Sequence, residues 1–289
     1  MKKEPNLFAH RYIEVGGLSL PNKVAFEKLS YSIRPLGSFS RPYEGMEHLR
    51  AYSIDVLSGK RNRQAFYPTR TGSATLVSYR HRRFALFTRH QFRIIAGNND
   101  LKEAIESLVI YIADDKETSN LPIEDLLFTE QESDDDLNDL VVAVIHDRVW
   151  VKRHYSFFFP IGIADNLPAA TDLIAAGFTY RPGYNPISHA LGVSDITAIA
   201  GKLNGYLRRQ RDMVGHMHYE GDRGSLDGIS GGGVYALTAT RESFVLTFAG
   251  IVIRGGNGHI YFLNNARIVR ILEDYLNGCE LLGNLPSMD

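Results

Sequence analysis

A serine, Ser230, lies among four glycines between Gly228 and Gly233. Glycine adds no side chain to a core and loses much backbone freedom on folding, so this concentration indicates a backbone requirement rather than packing. Tight glycine loops present backbone N–H groups to an anion. The pattern therefore fits a serine nucleophile flanked by donors that stabilise an oxyanion.

The same segment admits three other interpretations. A phosphate-binding loop needs a lysine before its Ser or Thr and a helix after it, whereas no lysine is present and residues 234–237 predict a strand. A nucleophile elbow of the α/β-hydrolase type needs an apolar strand before the serine, whereas residues 220–227 are polar and His259 is the only downstream histidine. The third interpretation is a flexible glycine turn without chemistry.

Two residues elsewhere lie where such a serine would need partners. Residues 73–79 and 83–87 predict a β-hairpin, and His90 follows its second strand. Asp139 stands directly before the apolar run 140–145, where an acid would be partly buried beside a partner. Asp136 is the alternative acid, and Asp139 is preferred because it abuts the strand.

Taken in chain order, these segments resemble the chymotrypsin-like (trypsin-fold) serine peptidases, closest in pattern to intracellular bacterial members. The matching motifs are Gly-x-x-x-Leu-Val from Gly72 leading to Thr-x-His at His90, Asp-Leu at Asp139, and Gly-x-Ser-Gly-Gly at Ser230. The resemblance covers roughly residues 66–276. It implies a mainly β fold of two six-stranded antiparallel barrels with a C-terminal helix.

The resemblance also implies how the chain is divided. Residues 1–60 would be an N-terminal extension of open role, which either packs on the first barrel or docks a partner protein. Residues 61–150 would form the first barrel with His90 and Asp139, and residues 151–289 the second barrel with Ser230 and the helix.

The function implied by the resemblance is that of a serine endopeptidase acting through an acyl-enzyme. Ser230 would attack the scissile carbonyl, His90 would accept and return the proton, and Asp139 would orient the imidazole. The N–H groups of Gly228 and Ser230 would form the oxyanion hole. Such a site needs no cofactor and no metal. The alternative is a catalytically silent protease-like module that binds protein.

The same resemblance places a substrate pocket around Gly224, Ala249, Gly250 and Ile251, which favours a small or apolar P1 residue. A longer loop would instead bring an acid, Asp222 or Asp227, into the pocket.

One departure from the family concerns activation. Ile229 occupies the position where secreted members often have an Asp that receives a new N-terminus. We therefore expect control by a protein partner or by loop ordering rather than by N-terminal cleavage.

Alternating and helical patterns predict the remaining elements. Helical spacing of apolar residues predicts helices over 101–112, 196–207 and 266–276, with Asn264 or Asn265 capping the last one. Short runs bounded by turn residues predict strands over 73–79, 83–87, 140–145, 172–178, 233–238, 244–254 and 259–263.

Composition excludes several functional classes. Thirty-two basic against 33 acidic residues give a formal charge of −1, which argues against nucleic-acid binding and against a polybasic membrane tether. The single cysteine, Cys279, excludes an intramolecular disulfide. No apolar leader follows the first residues and no apolar run approaches the ~20 residues of a membrane span. We therefore expect a soluble cytoplasmic protein whose substrate is a protein or peptide.

Two possible metal sites are disfavoured by their spacing. His216 and His218 are two residues apart and would share a strand face, but no third ligand is evident, so a surface strand is the preferred interpretation. The acidic run 130–136 lacks the ligand spacing and turn glycine of a calcium loop.

Overall fold

The architecture is mainly β, as predicted, with a long C-terminal helix. The computed structural model describes residues 32–40, 51–54, 61–91, 108–113, 118–128, 136–146, 157–163, 165–179, 196–220, 226–239 and 244–283. These residues form fifteen strands, one long α-helix and a short 3-10 turn. Within these ranges, none of the helical segments has the length and apolar character needed to span a membrane.

The first nine strands form one sheet. They are β1 Ile33–Ser40, β2 Ala51–Ile54, β3 Arg61–Tyr79, β4 Arg82–Thr88, β5 Leu108–Ala113, β6 Thr118–Asn120, β7 Ile123–Phe128, β8 Leu140–Ile145 and β9 Phe159–Pro160. The main path runs β6-β5-β1-β3-β4-β8-β7, and β2 and β9 pair with β3. This sheet takes the place of the first predicted six-stranded barrel, but among the described residues it has nine strands, of which β1 and β2 precede residue 61 and β9 follows residue 150.

The next six strands close into a barrel in the order β10-β11-β12-β15-β14-β13. They are β10 Asp172–Gly177, β11 Thr197–Tyr206, β12 Val214–His218, β13 Gly233–Ala239, β14 Phe244–Gly256 and β15 His259–Asn264. Helix α1, Asn265–Gly283, follows directly. The Asn264 Oδ1 accepts the N–H of Arg267 at 3.0 Å, which confirms the predicted asparagine cap.

All seven predicted strands are confirmed, and so is the C-terminal helix. The helix predicted over 196–207 is wrong, because residues 197–206 form β11. The helix predicted over 101–112 is wrong at residues 108–112, which belong to β5, and residues 101–107 lie outside the described part. The four-residue spacing of Ile199 and Leu203 suits a helix, but it also keeps both side chains on one face of a strand. Residues 197–206 pair with β10 and β12, and this pairing makes the segment a strand.

Strand β4 shows how alternation divides the apolar residues between two cores. Phe84 and Leu86 belong to a cluster that the sheet shares with the barrel and helix α1. Phe87 faces the opposite side, into a cluster confined to the sheet and residues 157–158. The shared cluster packs the sheet against the barrel, at the junction between them.

The predicted N-terminal extension contributes to the sheet. Strand β1 pairs with both β3 and β5. Next to it, the Ser32 hydroxyl lies 2.7 Å from the buried hydroxyl of Tyr235 in the barrel, and burial raises the pKa of Tyr235 far above its usual range. The division of the chain at residues 60 and 150 stays a prediction.

Candidate active site

His90 and Asp139 are brought together by the pairing of β4 with β8. Thr88 at the end of β4 lies opposite Leu140 at the start of β8, so the flanking residues of both strands meet. The Asp139 Oδ2 lies 2.7 Å from His90 Nδ1, and its Oδ1 accepts the backbone N–H of His90 at 2.9 Å. When Nδ1–H donates a hydrogen bond to this carboxylate, Nε2 is the nitrogen of the neutral ring that can accept a proton.

Asp136, the alternative acid, has different partners. Its carboxylate pairs with the Arg254 guanidinium, at 3.0 Å to Nη2, and accepts a hydrogen bond from Gln210 Nε2 at 2.8 Å. Of the two candidate acids, Asp139 is therefore the one that lies against His90.

Ser230 follows a tight turn. The Ile229 N–H donates to Leu226 O at 3.0 Å, and Gly228 has φ +90°, which is typical of the third position of a type II turn. In the part of the chain that the structure describes, the N–H groups of Ile229, Gly231 and Gly232 donate to backbone carbonyls, whereas those of Gly228 and Ser230 do not. Among the described residues, the N–H groups of Gly228 and Ser230 therefore have no backbone acceptor.

Strand β3 of the sheet holds this turn from the other side of the junction. The Ser73 N–H donates to Ser230 O at 3.2 Å, and the Ser73 hydroxyl donates to Gly228 O at 2.8 Å. The Thr75 hydroxyl donates to Gly231 O at 2.8 Å. Ser73 and Thr75 are buried polar residues on one face of an otherwise apolar strand. This pattern indicates that the strand has polar partners, and our sequence prediction did not use it.

Close backbone contact explains two of the glycines beside Ser230. A Cβ on Gly231 would lie 2.1 Å from Ser73 O, and the residue has φ +77°. A Cβ on Gly232 would lie 2.2 Å from Ala176 O. Only glycine allows the turn to approach β3 and β10 this closely.

The Ser230 hydroxyl donates to Ile253 O at 3.3 Å, and among the described contacts no hydrogen bond joins it to the His90 ring. Its backbone is nevertheless connected to the residue after His90, because Gln91 Nε2 donates to Ser230 O at 2.6 Å. Hydrogen bonds of catalytic groups are often loose in unliganded enzymes and tighten when substrate binds.

The predicted pocket residues lie further along the barrel wall. Ala249 and Ile251 are buried in two core clusters, and Gly250 pairs with Val234 of β13. Gly224 and Asp222 lie outside the described residues, and Asp227 is exposed. Strand β14 contacts Ser230 at Ile253, whose carbonyl accepts the Ser230 hydroxyl.

Ile229 is 1% exposed and belongs to the apolar core of the barrel. Its side chain anchors the turn before Ser230 by packing. An Asp at this position would require a buried charged partner.

A histidine cluster lies on the outer face of the barrel. His216 Nε2 is 2.8 Å from His259 Nδ1, and the His216 ring stacks on Tyr261 with centroids 4.7 Å apart. Partial burial, together with His259, His218 and Arg254, lowers the pKa of His216. Among the described residues, no three potential ligands are grouped closely enough to hold a metal ion.

The comparisons with known proteins identify the fold. No family model and no curated protein matches the sequence. A thermostable serine protease, AL20, from an extremophilic microorganism superimposes with a TM-score of 0.52 at 12% identity, over 86% of this chain and 98% of that one. This likeness shows that the chain has the chymotrypsin-like serine protease fold.

Two further structures have lower TM-scores. The scabies mite inactivated protease paralogue S-I1 has a TM-score of 0.49 at 12% identity, over 87% of this chain and 96% of that chain. Human heparin binding protein also has a TM-score of 0.49 at 12% identity, over 90% of this chain and 94% of that chain.

Proposed function

We propose that the chain is a serine endopeptidase in which Ser230 is the nucleophile, His90 the general base and acid, and Asp139 the residue that orients His90. The observation that carries the proposal is the 2.7 Å contact between Asp139 Oδ2 and His90 Nδ1. It is supported by the Ser230 turn, in which the N–H groups of Gly228 and Ser230 have no backbone acceptor among the described residues. Each role corresponds to a group that acyl transfer requires.

The reaction begins when the Ser230 hydroxyl leaves Ile253 O and turns to His90 Nε2. Oγ bonds to the scissile carbonyl carbon while its proton moves to Nε2, and the N–H groups of Gly228 and Ser230 stabilise the oxyanion. His90 then protonates the departing amine, and water hydrolyses the acyl-enzyme by the same path. No cofactor takes part.

In this proposal the P1 side chain lies near Gly224, Gly250 and the backbone of Ala249 and Ile251, whose own side chains are buried in the core. A small or apolar P1 residue is preferred. The Ile253 carbonyl, already within hydrogen-bond distance of Ser230 Oγ, is placed to bind the N–H of a substrate peptide once the serine has turned. Peptide libraries that vary only P1 test this preference, and strict cleavage after Arg or Lys would contradict it.

The experiment that tests the function uses a fluorophosphonate probe together with cleavage of a peptide library. Ser230→Ala should abolish both, whereas Ser78→Ala, a substitution at a half-buried serine of β3, should leave both unchanged. Equal labelling of the wild type and Ser230→Ala would contradict the assignment.

A matched histidine pair separates this proposal from an esterase of the α/β-hydrolase type. His90→Gln should lose labelling, because Nε2 no longer accepts the serine proton. His259→Gln should keep it, because His259 contacts His216 on the outer face of the barrel. The reverse result would favour the esterase.

The second candidate is a protease-like module that binds protein without turnover. It is favoured by one observation, the Ser230 hydroxyl bonded to Ile253 O rather than to His90. A gated enzyme of the intracellular bacterial kind, activated by a protein partner in the cytoplasm, accounts for the same observation. Labelling that appears only when cell lysate is added would support gating, and binding of peptide without labelling under either condition would support the silent module.

A further inference from the structure

Gln91 connects the histidine segment to the backbone of Ser230 through both ends of its side chain. Its Oε1 accepts the N–H of Thr88 at 3.1 Å, and its Nε2 donates to Ser230 O at 2.6 Å. The residue is 2% exposed. A buried amide is costly unless its polar atoms are bonded, so these two contacts fix the side chain in one position.

The space for this amide exists because residue 72 has no side chain. A Cβ on Gly72 would lie 1.9 Å from Gln91 Nε2 and 2.9 Å from Cδ. The amide group is thus inserted between β3 and the Ser230 turn. Ser230 O accepts a second hydrogen bond from the Ser73 N–H at 3.2 Å, so both lone pairs of this carbonyl are engaged.

We infer that Gln91 is a positioning residue of the proposed peptidase site, and this inference rests on the proposed function. His90 lies between Thr88 and Gln91 in the chain, and its own N–H and ring bind Asp139. Gln91 therefore sets the distance between the His90 segment and the Ser230 backbone, while Asp139 sets the orientation of the ring. The other hydrogen bond described for Ser230 O comes from the Ser73 N–H of strand β3, which is not in the His90 segment.

The expected effect follows from this geometry. Because the side chain is buried and its bonds go to Thr88 and Ser230, its loss should lower kcat and the labelling rate with little change in KM. Misplacement of a catalytic pair by an ångström costs up to about a hundredfold in rate. We therefore expect kcat and the labelling rate to fall by about tenfold to a hundredfold.

The test compares Gln91→Leu with Asn265→Leu. Asn265 is also a buried amide that donates to a backbone carbonyl, Gly162 O at 2.7 Å, and none of its described hydrogen bonds goes to a triad residue. Both variants remove a buried hydrogen bond, but only Gln91→Leu should slow labelling at a temperature where both are folded. Gly72→Ala is the second variant, since its methyl group displaces the Gln91 amide without changing Gln91.

Amide hydrogen exchange gives a readout that does not depend on activity. In Gln91→Leu, the N–H groups of Thr88 and Ser73 should exchange faster than in the wild type, and in Asn265→Leu they should not. Unchanged exchange together with unchanged labelling would overturn the role of Gln91 and leave the peptidase intact. If exchange is faster in Gln91→Leu but the wild type itself is never labelled, the result would support the connection between Gln91 and Ser230 and contradict the proposed function.

Discussion

Asp136 and Arg254 form a bidentate ion pair between the sheet and the barrel, with Nη2 at 3.0 Å from Oδ2 and Nε at 3.3 Å from Oδ1. Asp136 lies in the turn that leads to Asp139, and Arg254 follows Ile253, whose carbonyl accepts the Ser230 hydroxyl. The Arg254 guanidinium also lies 3.9 Å from the centre of the Tyr261 ring. The pair thus connects the turn before Asp139 to strand β14, which contacts Ser230.

The first prediction concerns the strength of this pair. A double-mutant cycle of Asp136→Ala and Arg254→Ala, followed by urea unfolding, should give a coupling below about 1 kcal/mol, because the side chains are 22% and 44% exposed and solvent screens them. The control pair is Asp172 and Lys202, whose side chains are 54% and 66% exposed. Its coupling should be smaller still, and equal couplings would show that the bidentate geometry adds nothing.

The second prediction concerns Gly231. Gly231→Ala should destabilise the fold by roughly 2 kcal/mol or more, since the methyl group would clash with Ser73 O and the residue would keep a positive φ. Gly278→Ala, on the exposed side of helix α1 with nothing within 4 Å of its Cβ, should stabilise by up to about 1 kcal/mol. Thermal unfolding measures both. If Gly231→Ala leaves the stability unchanged, the turn and β3 can move apart without loss of free energy.

The positions of site residues beside a run visible in the sequence could be predicted. The residues that form hydrogen bonds between the sheet and the barrel could not. His90, Asp139 and Ser230 each lie close to a short apolar run that predicts a strand, so their segments could be placed. Ser73 and Gln91 bond to carbonyls more than a hundred residues away, and no periodicity reports such partners. The error over 196–207 has a related cause, since only the pairing of β11 with its neighbours distinguishes the strand from a helix.

The third prediction concerns pH. Partial burial, followed by His259, His218 and Arg254, lowers the pKa of His216 below its ordinary value, near 6.5. The unfolded chain therefore binds more protons than the folded one as pH falls below about 6.5, and the free energy of unfolding decreases. The loss should stay below about 1 kcal/mol because the ring is half-buried.

His216→Phe isolates this contribution, because phenylalanine keeps the stacking on Tyr261 but does not titrate. Urea unfolding at pH 7.5 and 5.5, both chosen to bracket a pKa of about 6.5, should show a smaller decrease for the variant than for the wild type. Parallel decreases would show that His216 is not the group responsible.

The fourth prediction concerns the hydroxyl groups with which β3 holds the Ser230 turn. Thr75→Val keeps the shape of the side chain but leaves Gly231 O without its 2.8 Å donor, so it should destabilise by about 1 to 3 kcal/mol. Thr75→Ser restores the donor and loses only a methyl group, so its loss should be smaller. Ser73→Ala removes two hydrogen bonds, one to Gly228 O and one from the Phe178 N–H.

Because Gly228 supplies one of the proposed oxyanion donors, Ser73→Ala should also slow fluorophosphonate labelling beyond its effect on stability. Thr75→Val, which acts at Gly231, serves as the control of similar stability. If both variants label at the wild-type rate while folded, the hydrogen bonds of β3 stabilise the turn without setting the direction of the Gly228 N–H. A selective loss in Ser73→Ala would instead show that the sheet positions a donor in the proposed oxyanion hole.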